Sequence, residues 1–171
     1  MKVVRLGHRY VRDYRTLTHL CLVARALGAE AIYLEEVEKE LLASVDEVNK
    51  AWGGGFQVIH EGWKKAFGEA KAEGRAIVHL TMYGLPFQDV LGDLRKSQSL
   101  LIAVGGPKVP SEVYGMADYN VAVTSQPHSE IAALAILIHD FQKGEELKKE
   151  FGDYRLKIVP SARGKQVEKN P

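Results

Sequence analysis

Asn120-Val121-Ala122-Val123-Thr124-Ser125-Gln126-Pro127-His128-Ser129-Glu130-Ile131-Ala132-Ala133-Leu134-Ala135 is the stretch that decides the fold class. An apolar strand stops at a polar loop, and a helix rich in Ala, Ile and Leu starts at once. In α/β proteins a ligand sits at such a junction, beyond the carboxyl end of a strand and against a helix amino end. Two upstream segments end the same way, at Thr81-Met82-Tyr83-Gly84 and at Gly105-Gly106-Pro107-Lys108-Val109-Pro110. Three closely spaced loops of this kind point to one shared pocket.

Outward from that stretch the chain alternates. Apolar periodicity predicts strands at Lys2–Leu6, Ala31–Leu34, Phe56–His60, Ala76–Leu80, Leu100–Val104 and Tyr119–Val123. Between them it predicts helices at Thr16–Ala29, Glu38–Trp52, Gly62–Ala72, Phe87–Lys96 and Pro110–Met116, with a last helix at Ser129–Gln142. Gly28 is the expected stop of the first helix. Leu100–Val104 is a continuous apolar run, as in a sheet covered on both faces. The alternation predicts an α/β fold, a mostly parallel sheet with helices on both faces. Glu145–Glu150 reads as a solvated charged turn, and Tyr154–Val159 with Gly164–Lys169 as a short C-terminal β-hairpin. One domain is expected over 1–153, followed by a basic extension over 154–171.

The chain has 171 residues and a net charge of +1, with the charge unevenly spread. Lys2, Arg5, Arg9, Arg12 and Arg15 stand against Asp13 alone at the start. Arg155, Lys157, Arg163, Lys165 and Lys169 stand against Glu168 alone at the end. Basic ends on an acidic middle suggest a localised anionic partner, with nucleic acid first among the candidates; solvated termini are the plainer alternative. No apolar run approaches the ~20 residues of a membrane span, and the start does not read as a signal peptide. The expectation is a cytoplasmic protein. A lone cysteine, Cys21, excludes an internal disulfide framework and reads as a buried core thiol, with a contact near a dimer axis as the alternative. No metal is expected, because the six histidines are scattered and none forms an H-x-x-x-H pair.

The common fingerprints fail. Gly105-Gly106-Pro107-Lys108 lacks the spacing of a P-loop, and Gly53-Gly54-Gly55 precedes a strand where a dinucleotide site needs it to follow one. There is no G-x-S-x-G elbow. The loop Thr124–Ser129 is richer. Ser125 and Ser129 offer hydroxyls, Pro127 suits a first helical position, and Glu130 suits the macrodipole. His128 either packs there or lines a site. Gly105 and Gly106 either make a tight turn or let backbone approach a ligand.

Several segments together resemble one family. They are Leu6-Gly7-His8-Arg9, Thr18-His19-Leu20, Ala24-Arg25-Ala26-Leu27-Gly28-Ala29, Val78-His79-Leu80-Thr81-Met82-Tyr83-Gly84, Ala117-Asp118-Tyr119-Asn120-Val121-Ala122 and Gln126-Pro127-His128-Ser129-Glu130. The chain is similar to the SPOUT superfamily of RNA methyltransferases, and within it to the archaeal tRNA cytidine-56 2′-O-methyltransferases. The resemblance implies a trefoil knot over about 76–142, a homodimer, S-adenosylmethionine as methyl donor and tRNA as substrate. It assigns the donor to Leu80, Thr81 and Tyr83 in the first loop and to Gly105, Gly106, Pro107, Lys108 and Val109 in the second. In the third it assigns Thr124, Ser125, Gln126, Pro127, His128, Ser129 and Glu130. Arg25 and Arg9 are the candidate catalytic residues, expected to meet developing charge on a ribose oxygen. Arg5, Arg12, Arg15, Arg155, Lys157, Arg163 and Lys165 are the expected RNA contacts. A SPOUT enzyme acting on another tRNA or rRNA position, a non-catalytic RNA-binding relative, and a flavodoxin-like small-molecule binder are the competing readings.

Overall fold

A computed structural model describes residues 1–7, 13–106 and 108–170. The central strands are β1 (Lys2–Leu6), β2 (Ala31–Leu34), β3 (Gln57–His60), β4 (Ala76–Pro86), β5 (Leu100–Gly105) and β6 (Tyr119–Ala122). They form one sheet in the order β3-β2-β1-β5-β4-β6. Every neighbouring pair is parallel. The helices are α1 (Asp13–Ala26), α2 (Lys39–Trp52), α3 (Trp63–Ala72), α4 (Phe87–Leu94), α5 (Ser111–Met116) and α6 (Glu130–Gln142). The alternating α/β reading of the sequence is therefore what the chain builds.

Strand residues alternate between two apolar layers, as the period of two requires. Val3, Ile32, Val78, Leu80, Ile102 and Val104 point to one side, where Leu20, Cys21 and Ala24 of α1, Leu41 and Val45 of α2, Val90 and Leu94 of α4, and Leu134 and Leu137 of α6 cover them. Val4, Leu6, Tyr33, Ile77, Leu101 and Ala103 point to the other, under Trp63, Ala66, Phe67 and Ala70 of α3 and Val113 of α5. The spacings of these helical residues, three and four apart, give each helix one apolar face. α1 ends where the sequence places its stop: Gly28 has φ +86°, a left-handed conformation that glycine adopts at no steric cost.

Two segments differ from expectation. β4 does not stop at Leu80. It runs on through Pro86, and its pairing with β6 slips: Leu80 and Leu85 both register with Val121. The intervening residues bulge outward, so what reads as a loop is an irregular continuation of the strand. The second difference lies after α6. Glu145–Lys148 is a 3-10 turn rather than a wholly solvated one, because Glu146 turns inward and its Oε1 lies 2.6 Å from Nδ1 of His139. The chain then reaches α2, where Gly54 N–H donates to the Gly152 carbonyl and Arg155 N–H to that of Ala51. It finishes in the expected hairpin, β7 (Leu156–Val159) antiparallel to β8 (Gln166–Lys169).

Cys21 is fully buried in the α1 layer, and burial pushes its thiol up to about 12. The reactive thiolate is therefore scarce at neutral pH. At pH 8 a maleimide or aromatic disulfide reagent is expected to label Cys21 only as fast as the protein unfolds. Rapid labelling of the native protein, followed by mass spectrometry, would contradict this placement.

Candidate active site

The carboxyl ends of β4, β5 and β6 open into a cavity of about 350 Å³, within the range of small-molecule sites. All three candidate loops contribute to it. Leu80, Thr81 and Tyr83 come from the first, Gly105, Gly106 and Val109 from the second, and Pro127, His128 and Glu130 from the third. Five other expected residues are not in the wall: Lys108, Thr124, Ser125, Gln126 and Ser129. Two of these serve the loop itself. Thr124 Oγ1 accepts from Gln126 N–H at 3.2 Å. Ser129 is the N-cap of α6, its Oγ accepting from Ile131 N–H at 3.2 Å. α6 thus begins at Glu130, and Pro127 precedes the cap instead of opening the helix. Pro107 lies outside the described residues.

The wall holds side chains that sequence reasoning missed, chiefly His79 and Tyr114. His79 is fully buried, one residue before the first loop and on the opposite face of β4 from Leu80. Its Nδ1 lies 2.9 Å from Oδ1 of Asn120, its register partner on β6. Asn120 Nδ2 donates to the Tyr114 carbonyl, which fixes the amide so that Oδ1 faces the ring. Nδ1 therefore carries the proton. Burial lowers the His79 pKa and keeps the ring neutral, leaving Nε2 as a buried acceptor with no partner among the described residues. Such an orphan costs roughly 1–3 kcal/mol unless something donates to it. Tyr114 packs edge-on over the ring, centroids 4.8 Å apart, and its hydroxyl lies 3.1 Å from Thr81 Oγ1. The pairing of His79 with Asn120 depends on parallel register, which sequence periodicity does not carry.

Arg5 is not an outward-facing RNA contact. It is buried in β1, donating to the Leu6 carbonyl at 2.8 Å and ion-pairing with Glu130 across 3.3 Å. A side chain at Gly106 would begin 3.6 Å from the same guanidinium. At Gly105, a Cβ would come within 2.7 Å of Val109 Cγ2 and 3.0 Å of Leu6 Cβ. The paired glycines thus let the second loop turn tightly against β1. Among the described residues no group of His, Cys, Asp and Glu is disposed to hold a metal ion.

Comparison with known proteins gives this cavity a context. Residues 52–168 match the family model for tRNA ribose 2′-O-methyltransferase, aTrm56. A protein of Nitrosopumilus maritimus named tRNA (cytidine(56)-2′-O)-methyltransferase is 47% identical over 169 residues, covering 98% of this chain and 96% of its own. One of the same name from Methanopyrus kandleri is also 47% identical, covering 98% and 95%. The chain belongs to this family of tRNA ribose methyltransferases. Its fold is that of the SpoU methyltransferases. It aligns with AviRb of Streptomyces viridochromogenes, solved in complex with the cofactor AdoMet, at a TM-score of 0.59 and 12% identity, covering 84% of this chain and 57% of that one. With the TrmH/SpoU enzyme of A. aeolicus the TM-score is 0.58 at 14% identity, covering 86% and 76%.

Within this family fold, Arg25 does not reach the cavity. α1 runs back antiparallel to the strands, so its last turn returns to the amino end of the sheet, where Glu30 N–H meets the Met1 carbonyl. The cavity is at the other end. Arg25 is buried, donates through Nε to Asn49 Oδ1 at 2.9 Å and through Nη2 to the Gly53 carbonyl, and lies 4.7 Å from the centre of the Phe151 ring. These partners make it a clasp between α1, α2 and the C-terminal extension, which corrects the expectation that it sits beside the reacting ribose. Arg9 and Arg12 lie outside the described residues. Arg15 is exposed on the first turn of α1. Arg155 is exposed but donates to the Lys50 carbonyl, Lys157 pairs with Glu150 at 3.2 Å, and Arg163 and Lys165 are exposed between the hairpin strands.

Two substitutions separate these roles. Arg25→Ala is expected to lower the unfolding free energy by about 1–3 kcal/mol, since it orphans the Asn49 and Gly53 acceptors, while the amide NMR signals of Leu80, Gly105 and Glu130 stay in place. Gly84 lies in the β4 bulge, where a Cβ would come within 2.5 Å of the Asn120 carbonyl group. Gly84→Ala is expected to cost ~1–3 kcal/mol by overpacking and to displace the signals of Asn120 and Val121. Urea midpoints and amide spectra of both variants check the pair.

Proposed function

We propose that this chain transfers a methyl group from S-adenosylmethionine to the ribose 2′-oxygen of cytidine 56 in tRNA. The observation that carries the reading is near-full-length similarity, at 47% identity, to proteins named for that reaction. The cavity fits the donor. It is largely apolar, lined by Leu80, Val121 and Val123, with the buried His79 ring behind its wall. Leu80, Thr81, Tyr83, Gly105, Gly106 and Val109 would hold that molecule, with Pro107 and Lys108 completing the second loop. Thr124, Ser125, Gln126, Pro127, His128, Ser129 and Glu130 would close the third side. Glu130, its carboxylate tied to Arg5, would bound that side at the start of α6. When bound, S-adenosylmethionine supplies an electrophilic methyl group.

The protein's own contribution is to hold a ribose oxygen in line at about 3–3.5 Å from that group and to exclude competing water, which in favourable systems supplies ~7–11 kcal/mol. Arg9 is the arginine this reading retains for charge developing on the ribose oxygen. Arg12, Arg15, Arg155, Lys157, Arg163 and Lys165 would engage tRNA phosphates, which position the substrate without reading its sequence. The reading includes a trefoil knot over about 76–142 and a homodimer in the cytoplasm. Support for the dimer comes from apolar side chains left in solvent on β4 and α6, Tyr83, Leu85 and Ile136. No helix of the described residues is long and apolar enough to cross a membrane.

The test is to incubate unmodified tRNA transcript with labelled methyl donor and map the label. The expected result is a single ribose methyl at cytidine 56; label on a base, or none, overturns the reading. Binding should also depend steeply on salt. With about six phosphates engaged, affinity is expected to fall ~10³-fold between 50 and 200 mM salt. A flat response measured by filter binding would contradict the phosphate contacts.

A further inference from the structure

The cavity wall contains several groups that exchange protons, and their partners sort them. The Tyr114 hydroxyl lies against Thr81 Oγ1. Glu130 is ion-paired with the buried Arg5. His79 is sealed from solvent, so an incoming nucleic acid does not reach it. His128 differs from all of these. It lines the cavity and is solvent-exposed. Its Nδ1 lies 2.6 Å from the main-chain carbonyl of Gln126. A carbonyl oxygen only accepts, so in the neutral ring Nδ1 carries the hydrogen and donates. Nε2 is then bare. The two ring nitrogens point in different directions, so with Nδ1 folded back onto its own loop, Nε2 is turned away from it.

This is the arrangement a proton acceptor needs: an imidazole whose tautomer and orientation are set by a second group on its far nitrogen. Resting on the functional reading above, we propose that His128 Nε2 accepts the proton of the ribose 2′-hydroxyl during methyl transfer. The O–H bond breaks as the O–C bond forms, and the proton passes to Nε2. The electron pair of the C–S bond stays on sulfur, which ends as a neutral thioether. The resulting imidazolium keeps its hydrogen bond to the Gln126 carbonyl and later gives the proton to water. Arginine does not serve as this acceptor, because its guanidinium stays protonated in proteins. Arg9 and His128 thus have separable tasks, one meeting charge and the other taking the proton.

The experiment compares wild type, His128→Ala and His128→Gln in single turnover, with enzyme and S-adenosylmethionine saturating over a tRNA transcript. Both variants are expected to slow the chemical step by ~10²–10⁴-fold. Because His128 also lines the cavity, affinity for S-adenosylhomocysteine, by calorimetry, is expected to fall far less than the rate, by no more than about tenfold, and affinity for tRNA, by filter binding, to stay within about threefold. Added imidazole is expected to restore the rate of His128→Ala in proportion to its concentration. A readout independent of turnover is the 15N spectrum of wild type, which should show the His128 ring protonated at Nδ1 and bare at Nε2. The Nε2–H tautomer overturns the proposal even if neither variant folds. Undiminished turnover in both variants overturns it while leaving the functional reading intact. A loss that tracks weakened S-adenosylhomocysteine binding and is not rescued by imidazole assigns His128 to ligand binding and also overturns it. Wild-type protein that methylates no tRNA ribose overturns the functional reading, and this proposal with it.

Discussion

β4 meets Val121 of β6 twice, once through Leu80 and again through Leu85. The remainder of the site depends on that double registry. A strand pairing continuously would leave no room above its partner. Here the chain between the two meetings is forced outward and becomes one wall of the cavity. Gly84 makes the return possible, since it crosses the β6 backbone where any side chain would collide with it. The flanking core resists adjustment: Leu100, Leu101, Ile102, Ala103 and Val104 of β5 have no exposed surface. Interiors packed to crystal-like density do not deform gradually, so the bulge is held in one shape by what lies beneath it.

Two polar ties set the other walls. Arg5 and Glu130 join the first strand to the start of the last helix, across a large stretch of sequence. With Arg5 buried and Glu130 only half-buried, the pair contributes little net stability, because desolvation offsets the attraction. Its effect is geometric: it fixes where α6 begins relative to Gly106. The His79–Asn120–Tyr114 set does the same for α5. It also leaves one buried imidazole nitrogen without a partner among the described residues, a local cost carried by the fixed set.

Much of the framework was legible in the sequence because it follows from periodicity. The unbroken apolar run Leu100–Val104 records a strand buried on both faces, and the three-and-four spacing of Leu17, Leu20, Cys21 and Ala24 records the buried face of a helix. The junction at Thr124–Glu130 was legible because an apolar strand stops there and an apolar helix follows, although the cap is Ser129 and Pro127 does not open the helix. What was missed depends on contacts distant in sequence. His79 looks like any strand residue until Asn120 arrives opposite it. Arg5 looks like one of a basic cluster until Glu130 pairs with it. Arg25 looks functional in a family context, but the direction of α1 carries it to the far end of the sheet. Glu146 lies within a run of charges and is nevertheless drawn inward by His139. Charge and composition describe a segment's average, and each of these is a single side chain with a particular partner.

Methyl transfer here requires three chain segments to enclose one molecule. Hydrogen exchange with and without S-adenosylhomocysteine, read by mass spectrometry on overlapping peptides, tests this most directly. Protection is expected in the peptides around residues 82, 105 and 127 together, with one saturation curve, while α3 and the C-terminal hairpin are unchanged. Protection confined to one of the three, or appearing at the Arg25 end of the sheet, would contradict it.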